Sequence, residues 1–208
     1  MRVRLAVLAA SATCVIATAF PAAADSVRGT PGPDDVVGTS GPDTIETFGG
    51  DDHVRALGGD DVIRLGRSGR HHDEYGDGGA GDDRVFGGRG TDFLSGGPGD
   101  DLLRGGPGGD VLRDSGGSDH FYSGTGADQA DLGRQNATRT EQDVVHMGPG
   151  NDLVLAPSDH QPDLIDCGPG TDDRLLYAHR PDPNDTVRGC ELIETIPSGE
   201  GTPARPSA

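Results

Sequence analysis

The sequence has 208 residues and a formal net charge of −18, because 35 Asp and Glu residues face 17 Arg and no Lys. This field excludes binding to nucleic acid or to an anionic membrane surface, and it attracts cations. Hydrophobic residues make up 32% and aromatic residues 4% of the chain. These fractions exclude an ordinary globular core and are typical of a disordered protein, unless something such as a divalent metal neutralises the carboxylates.

Residues 1–24 are predicted to be a secretory signal peptide. Arg2 and Arg4 form a short basic start, residues 5–20 are an apolar run, and residues 22–24 supply a cleavage site of small residues. The apolar run is too short to span a membrane comfortably. We therefore expect a secreted, extracellular protein without membrane insertion, in which residues 25–37 form a linker.

Residues 78–113 consist of four consecutive nonapeptides of the form G-G-x-G-x-D-x-U-x, in which U is apolar: GGAGDDRVF, GGRGTDFLS, GGPGDDLLR and GGPGGDVLR. This form is the signature of a calcium-binding parallel β-helix repeat. The frame extends upstream over 38–64 and downstream over 114–131. The repeat region is therefore predicted to span 38–131.

The frame is interrupted at 65–77, where residues 71–75 resemble a degenerate copy. The adjacent His and acidic residues at 71–74 could ligate a transition metal, but no partner cluster has metal-site spacing, so we expect a surface loop there. Residues 132–141 are predicted to be a loop insertion and residues 142–175 degenerate repeats. Residues 195–208 are rich in Pro, Gly and Ser and are predicted to be a disordered tail.

The repeat itself predicts the secondary structure. The tripeptide x-U-x forms a short strand with one inward side chain, and the glycine-rich hexapeptide forms the turn. Two nonapeptides make one coil, so copies two apart become neighbours at about 4.8 Å. The predicted inward residues are Ile45, Val54, Ile63, Val85, Leu94, Leu103, Leu112 and Phe121.

These repeats resemble those of the repeats-in-toxin (RTX), or hemolysin-type calcium-binding, family, strongly over 78–122 and more weakly over 38–175. The resemblance implies an all-β, right-handed parallel β-roll, a β-helix solenoid, that holds several Ca²⁺ ions between turns two repeats apart. It pairs Asp83 with Asp101, Asp92 with Asp110, and likewise along the repeat. The metal ligands it implies are Asp43, Asp52, Asp61, Asp83, Asp92, Asp101, Asp110, Asp119, Asp128 and Asp152.

The alternative role for these Asp residues is turn capping. Carboxylates stacked at strand spacing would repel one another without a cation, which favours a metal. Ca²⁺ accepts six to eight oxygen ligands in irregular geometry, whereas Mg²⁺ demands a tight octahedron. Zn²⁺ is disfavoured by an all-oxygen ligand set.

Two cysteines remain after the predicted signal, Cys167 and Cys190. An even count in an exported protein indicates a disulfide, with two free buried thiols as the alternative. Residues 164–194 resemble the closing unit of secreted RTX-type proteins, which implies a disulfide-linked C-terminal cap. Arg174 occupies the apolar position of the frame set by Asp172, so either the frame slips to Asp173 and Leu175 or this copy binds no metal.

The sequence therefore predicts a secreted, non-enzymatic protein that folds on binding calcium ions, its only identified partner. It contains no catalytic signature of the G-x-S-x-G, H-E-x-x-H or P-loop type, and we assign no catalytic residue. The alternative functions are a structural or adhesive extracellular module, or an accessory domain with calcium-dependent assembly. The sequence identifies no protein or cell-surface partner.

Overall fold

The computed structural model describes strands Leu5–Val7 and Cys14–Ala17 and residues 26–66, 73–133 and 141–196. Every regular element in these ranges is a β-strand, and the chain winds as a parallel β-solenoid of about nine turns. The predicted all-β parallel roll is therefore confirmed. Over the same residues, no helix has the length and apolar character needed to cross a membrane.

Two ten-stranded parallel sheets face each other, one built from the odd-numbered and one from the even-numbered strands. Each coil contributes one strand to each sheet, which confirms the prediction of two nonapeptides per coil. The odd strands are β1 Leu5–Val7, β3 Ser26–Arg28, β5 Thr44–Glu46, β7 Val62–Arg64, β9 Arg84–Phe86, β11 Leu102–Pro107, β13 His120–Thr125, β15 Val144–His146, β17 Leu164–Asp166 and β19 Thr186–Arg188. The even strands are β2 Cys14–Ala17, β4 Asp34–Val37, β6 His53–Arg55, β8 Tyr75–Asp77, β10 Phe93–Ser95, β12 Val111–Arg113, β14 Gln129–Asp131, β16 Leu153–Ala156, β18 Arg174–Tyr177 and β20 Leu192–Thr195.

The core is a double row of single inward side chains, contributed by most strands from β3 to β18. In the odd sheet, Leu103 lies between Val85 and Phe121 in register, and all three are fully buried. All eight predicted inward residues are 0% exposed. Burying one such side chain stabilises the fold by about 1.5–3 kcal/mol, so the strand periodicity alone explains why each tripeptide turns the same face inward.

The turns stack as closely as the strands do. Gly79 and Gly81 have φ angles of 107° and 131°, which favour glycine, and the N–H of Gly79 donates to the Gly96 carbonyl of the next coil at 2.9 Å. A Cβ on Gly97 would collide with the Gly79 carbonyl. The second and fourth glycines of the repeat are thus required by both conformation and space.

The stack continues through the interruption at 65–77. Strand β8 lies in register between β6 and β10, with Gly76 at the inward position. The interruption adds four residues to one turn, since equivalent residues such as Asp61 and Asp83 are 22 apart instead of 18. His71 and His72, part of the cluster considered as a metal site, lie outside the described residues.

The sheets also extend beyond the repeat region predicted from sequence. Strands β3 and β4 lie within residues 25–37, so the linker segment takes part in the solenoid. Strands β1 and β2 lie within the predicted signal peptide, whose removal would leave β3 and β4 as the first strands. The predicted loop at 132–141 and tail at 195–208 lie mostly outside the described residues.

The C-terminal coils carry the predicted disulfide, which is confirmed. Cys167 and Cys190, with Cα atoms 5.2 Å apart, follow β17 and β19 and join two successive coils. The turn 167–173 has one residue more than the six-residue turns of the clean repeats, which moves Asp173 into the Asp position and Leu175 into the core. The repeat frame therefore slips by one residue at this point, which is the first of the two alternatives derived from the sequence.

Candidate metal centre

Every strand from β4 onward has an acidic residue at its beginning, and these residues stack into two columns along the solenoid. We call the columns the odd and even ladders, after the sheets they precede, and each acidic residue a rung. The odd ladder consists of Asp43, Asp61, Asp83, Asp101, Asp119, Asp143, Asp163 and Asp185. The even ladder consists of Asp34, Asp52, Glu74, Asp92, Asp110, Asp128, Asp152, Asp173 and Glu191.

One hydrogen bond links each rung to the next. The backbone N–H of Asp83 donates to Asp101 Oδ1 at 2.6 Å, and the N–H of Asp101 donates to Asp119 Oδ1 at 2.9 Å. The same bond joins Asp92 to Asp110 at 2.9 Å. The pairs predicted from the sequence are therefore vertical neighbours, and one carboxylate oxygen of each rung is used to hold the turn.

The other carboxylate oxygen is buried and has no hydrogen-bond partner at most rungs. Leaving a buried charged oxygen without a donor costs several kcal/mol unless a cation compensates it. These oxygens belong to Asp52, Asp61, Glu74, Asp83, Asp92, Asp101, Asp110, Asp119, Asp128, Asp152, Asp163 and Asp173. A repeated orphan oxygen of this kind indicates a repeated cation.

The orphan oxygens lie against the first glycine of each repeat. A Cβ built on Gly78 would contact Asp83 Oδ2, and a Cβ on Gly87 would contact Asp92 Oδ2. The first glycine does not adopt a positive φ, unlike the second and fourth. Glycine is therefore required at this position because a side chain would collide with the orphan oxygen.

Burial raises the pKa of many carboxyl groups in both ladders. Desolvation raises the pKa of Glu74 to about 8 and that of Asp83 to about 7, and the charge of neighbouring carboxylates adds to both shifts. The ladder hydrogen bond from the preceding backbone N–H acts in the opposite direction. The pKa is also raised to about 7 at Asp61, Asp101, Asp110, Asp119 and Asp163, and to about 6 at Asp92, Asp128 and Asp152. Without a metal, these rungs therefore lose their protons near neutral pH, whereas ordinary carboxyl groups lose theirs near pH 4.

All ten sequence-predicted ligand residues are rungs, five in each ladder. Sequence reasoning left out Asp34, Glu74, Asp143, Asp163, Asp173, Asp185 and Glu191. Asp34 lies nine residues before Asp43, so extending the frame by one copy finds it. Glu74 directly precedes a strand as each Asp does, but the four-residue insertion conceals its register.

A second, exposed acidic row runs beside the odd ladder. The N–H of Asp82 donates to Asp60 Oδ1 at 3.2 Å, and the N–H of Asp100 donates to Asp82 Oδ1 at 3.0 Å. This row adds negative potential at the turns and supplies further oxygens at the surface.

The donor set fits calcium. Each interval between two rungs offers carboxylate oxygens from both rungs, and calcium takes six to eight oxygens without strict geometry, so that water or backbone carbonyl oxygens can complete the ligand set. No nitrogen or sulfur ligand belongs to either ladder as described, which disfavours zinc and copper. The rung residues could hold such ions through their orphan oxygens.

Comparison with known families agrees with this geometry. The model of the RTX calcium-binding nonapeptide repeat matches in four copies, over residues 28–63, 73–103 and 104–138. The match begins at Arg28, the last residue of β3, within the segment predicted as a linker. No curated protein matches the chain significantly. Through the repeats that build its solenoid, this chain belongs to the RTX calcium-binding nonapeptide repeat family.

Proposed function

We propose that this is a secreted, non-enzymatic calcium-binding protein whose folding is coupled to the binding of several Ca²⁺ ions. The observation that carries the proposal is the pair of ladders, in which most rungs have a buried carboxylate oxygen without a hydrogen-bond donor. Metal binding then supplies free energy for folding, because the unfolded chain has no preformed site. In low-calcium cytoplasm the chain stays unfolded, which suits export through the predicted signal peptide.

The ligands in this proposal are the ten sequence-predicted Asp residues and the further rungs that stack with them. An ion between Asp92 and Asp110 would use the orphan Oδ2 atoms of both. Extracellular calcium modules have dissociation constants of roughly 10⁻⁴–10⁻³ M, which matches the calcium concentration outside cells.

Circular dichroism of residues 25–208 tests the proposal directly. In chelator the far-UV spectrum is expected to be that of an unfolded chain, and calcium at millimolar concentration is expected to restore a β-rich spectrum. Magnesium at the same concentration serves as the matched control and is expected to have little effect. An equally β-rich spectrum in chelator and in calcium would refute coupled folding.

One observation favours the second candidate, a structural or adhesive module with calcium-dependent assembly. His53, Tyr75 and Phe93 stack on the outer face of the even sheet, with ring centroids 4.4 Å and 5.4 Å apart. Because the rings cover one another's faces, only their edges are open, which suits contact with another protein surface better than sugar stacking. Sedimentation velocity with calcium and with chelator tests calcium-dependent self-assembly, which a monomer under both conditions would exclude.

A further inference from the structure

One interval of the odd ladder contains a third carboxylate. Asp114 occupies the first position of its turn, where the four clean repeats have glycine. That position does not take a positive φ, and Asp114 itself has none, so the backbone accepts a side chain there. Asp114 therefore adds a carboxylate to the interval without changing the backbone conformation of the turn.

The Asp114 side chain is held rigidly between two turns. It is 2% exposed, and its Oδ1 accepts hydrogen bonds from the N–H groups of Ser115 and Gly116 in its own turn and from Gly97 in the preceding coil at 3.3 Å. These bonds leave Oδ2 free of any donor.

The free Oδ2 lies against Gly96 of the preceding coil, beside the orphan oxygen of Asp101. A Cβ on Gly96 would contact Oδ2 of both Asp114 and Asp101. The ligand oxygens of Asp101, Asp114 and Asp119 all lie within 4.8 Å of one another. Calcium–oxygen distances of 2.3–2.6 Å place oxygens of one ion up to about 5 Å apart, so a single ion can reach all three.

Burial makes this convergence unfavourable without a cation. Asp101 and Asp119 are 2% and 0% exposed, and their Oδ2 atoms also lack donors. The interval therefore holds one buried carboxyl group more than the nonapeptide repeat supplies. Calcium affinity rises with the number of charged ligands and with the rigidity of the site.

We propose that Asp101, Asp114 and Asp119 form a three-carboxylate site between the turns 96–101 and 114–119, which binds Ca²⁺ more tightly than the two-carboxylate intervals and fills first. This inference rests on the proposed function, because it assumes that the ladder intervals bind calcium. Asp114 is then a ligand that the nonapeptide repeat does not supply.

The opposing interpretation is that Asp114 fills the space at Gly96 and replaces an ion. Two variants separate the possibilities: Asp114→Asn, which keeps the shape and the Oδ1 acceptor but removes the charge, and Asp114→Gly, which restores the repeat. Asp131→Asn is the control, because Asp131 lies on the outer face beside Arg113 and loses the same charge without touching a ladder.

Calorimetric titration of residues 25–208 with calcium, after folding is confirmed by circular dichroism, gives the affinity of each phase and the stoichiometry. We expect both Asp114 variants to weaken the tightest phase by about tenfold or more, without adding a site, and Asp131→Asn to leave it unchanged. Terbium, a trivalent probe with the same oxygen preference, is expected to show the same loss. An unchanged tightest phase in both Asp114 variants, or one additional site in Asp114→Gly, would overturn the inference.

The titration also separates this inference from the proposed function. If the unmodified protein binds no calcium, the proposed function itself fails. If it binds calcium in several phases and both Asp114 variants keep the same tightest phase, only the three-carboxylate site fails.

Discussion

Asp110 offers the sharpest test of the ladder, because its two carboxylate oxygens have separate roles. Oδ1 accepts the N–H of Asp92 at 2.9 Å, whereas Oδ2 is buried without a partner. Asp110→Asn keeps the first role and removes the charge needed for the second. Asp110→Ala removes both roles and also leaves the Asp92 N–H without an acceptor.

The expected magnitudes follow from the position of Asp110 in the middle of the even ladder. It borders two intervals, toward Asp92 and toward Asp128. Losing one charged ligand weakens each site by about tenfold, so Asp110→Asn is expected to lower the free energy of unfolding in calcium by about 3 kcal/mol. Asp110→Ala adds the cost of a buried unpaired N–H, about 1–3 kcal/mol.

The assay is chemical denaturation at fixed calcium, together with calcium titration followed by circular dichroism. Asp131→Asn again serves as the control, because an exposed ion pair contributes less than about 1 kcal/mol. At about pH 3.5 without calcium, Asp110→Asn is expected to match the unmodified protein, since a protonated Asp and an Asn are alike in shape and charge. A calcium midpoint for Asp110→Asn equal to that of the unmodified protein would refute the assignment of Oδ2 to the metal.

Four further outcomes are expected. Because the pKa of the rungs is raised in the folded state, the stability that they contribute without metal is fully present below about pH 4 and is lost as the pH rises through about 6–8. Acid should therefore increase the β signal of the calcium-free protein in circular dichroism. A β signal that instead grows as the pH is raised would contradict this prediction. Leu103→Ala should lower the free energy of unfolding in calcium by about 2–5 kcal/mol while the calorimetric stoichiometry stays the same. Leu57→Gly should raise stability by about 1 kcal/mol in denaturant titrations, because Leu57 has a φ of 84° at a position where the clean repeats have glycine. Replacing Cys167 and Cys190 by Ser should cost about 3 kcal/mol in thermal melts, and a melt unchanged under reducing conditions would argue against the disulfide.

The regular part of the fold could be predicted from the sequence because one period specifies both strand and turn. Leu94 and Leu103 had to point inward once x-U-x was assigned as a strand, and both are fully buried. The nine-residue spacing likewise placed Asp92 and Asp101 in stacked turns. These predictions depend only on the strand and turn geometry, which is the same in each repeat.

Rungs next to an insertion are harder to predict, because a repeat match compares residue types, whereas stacking depends on strand register. Turns lie at the edges of the solenoid, so the four extra residues before Glu74 and the one extra residue before Asp173 leave the neighbouring strands in place. Asp114 was missed for a different reason. In the sequence it replaces a glycine and looks like a weaker repeat, and only its position beside Asp101 and Asp119 reveals a third carboxylate.

Charge balance limits how the two ladders can fill. Fifteen rung-to-rung hydrogen bonds define fifteen intervals, and a divalent ion in each would bring about thirty positive charges to a chain of net charge −18. Complete filling would therefore replace repulsion between carboxylates by repulsion between ions. Partial filling avoids both, and it favours the intervals with the densest negative charge. The interval of Asp101, Asp114 and Asp119 is therefore expected to bind the first ion. The exposed Asp82–Asp100 row beside it adds further negative charge.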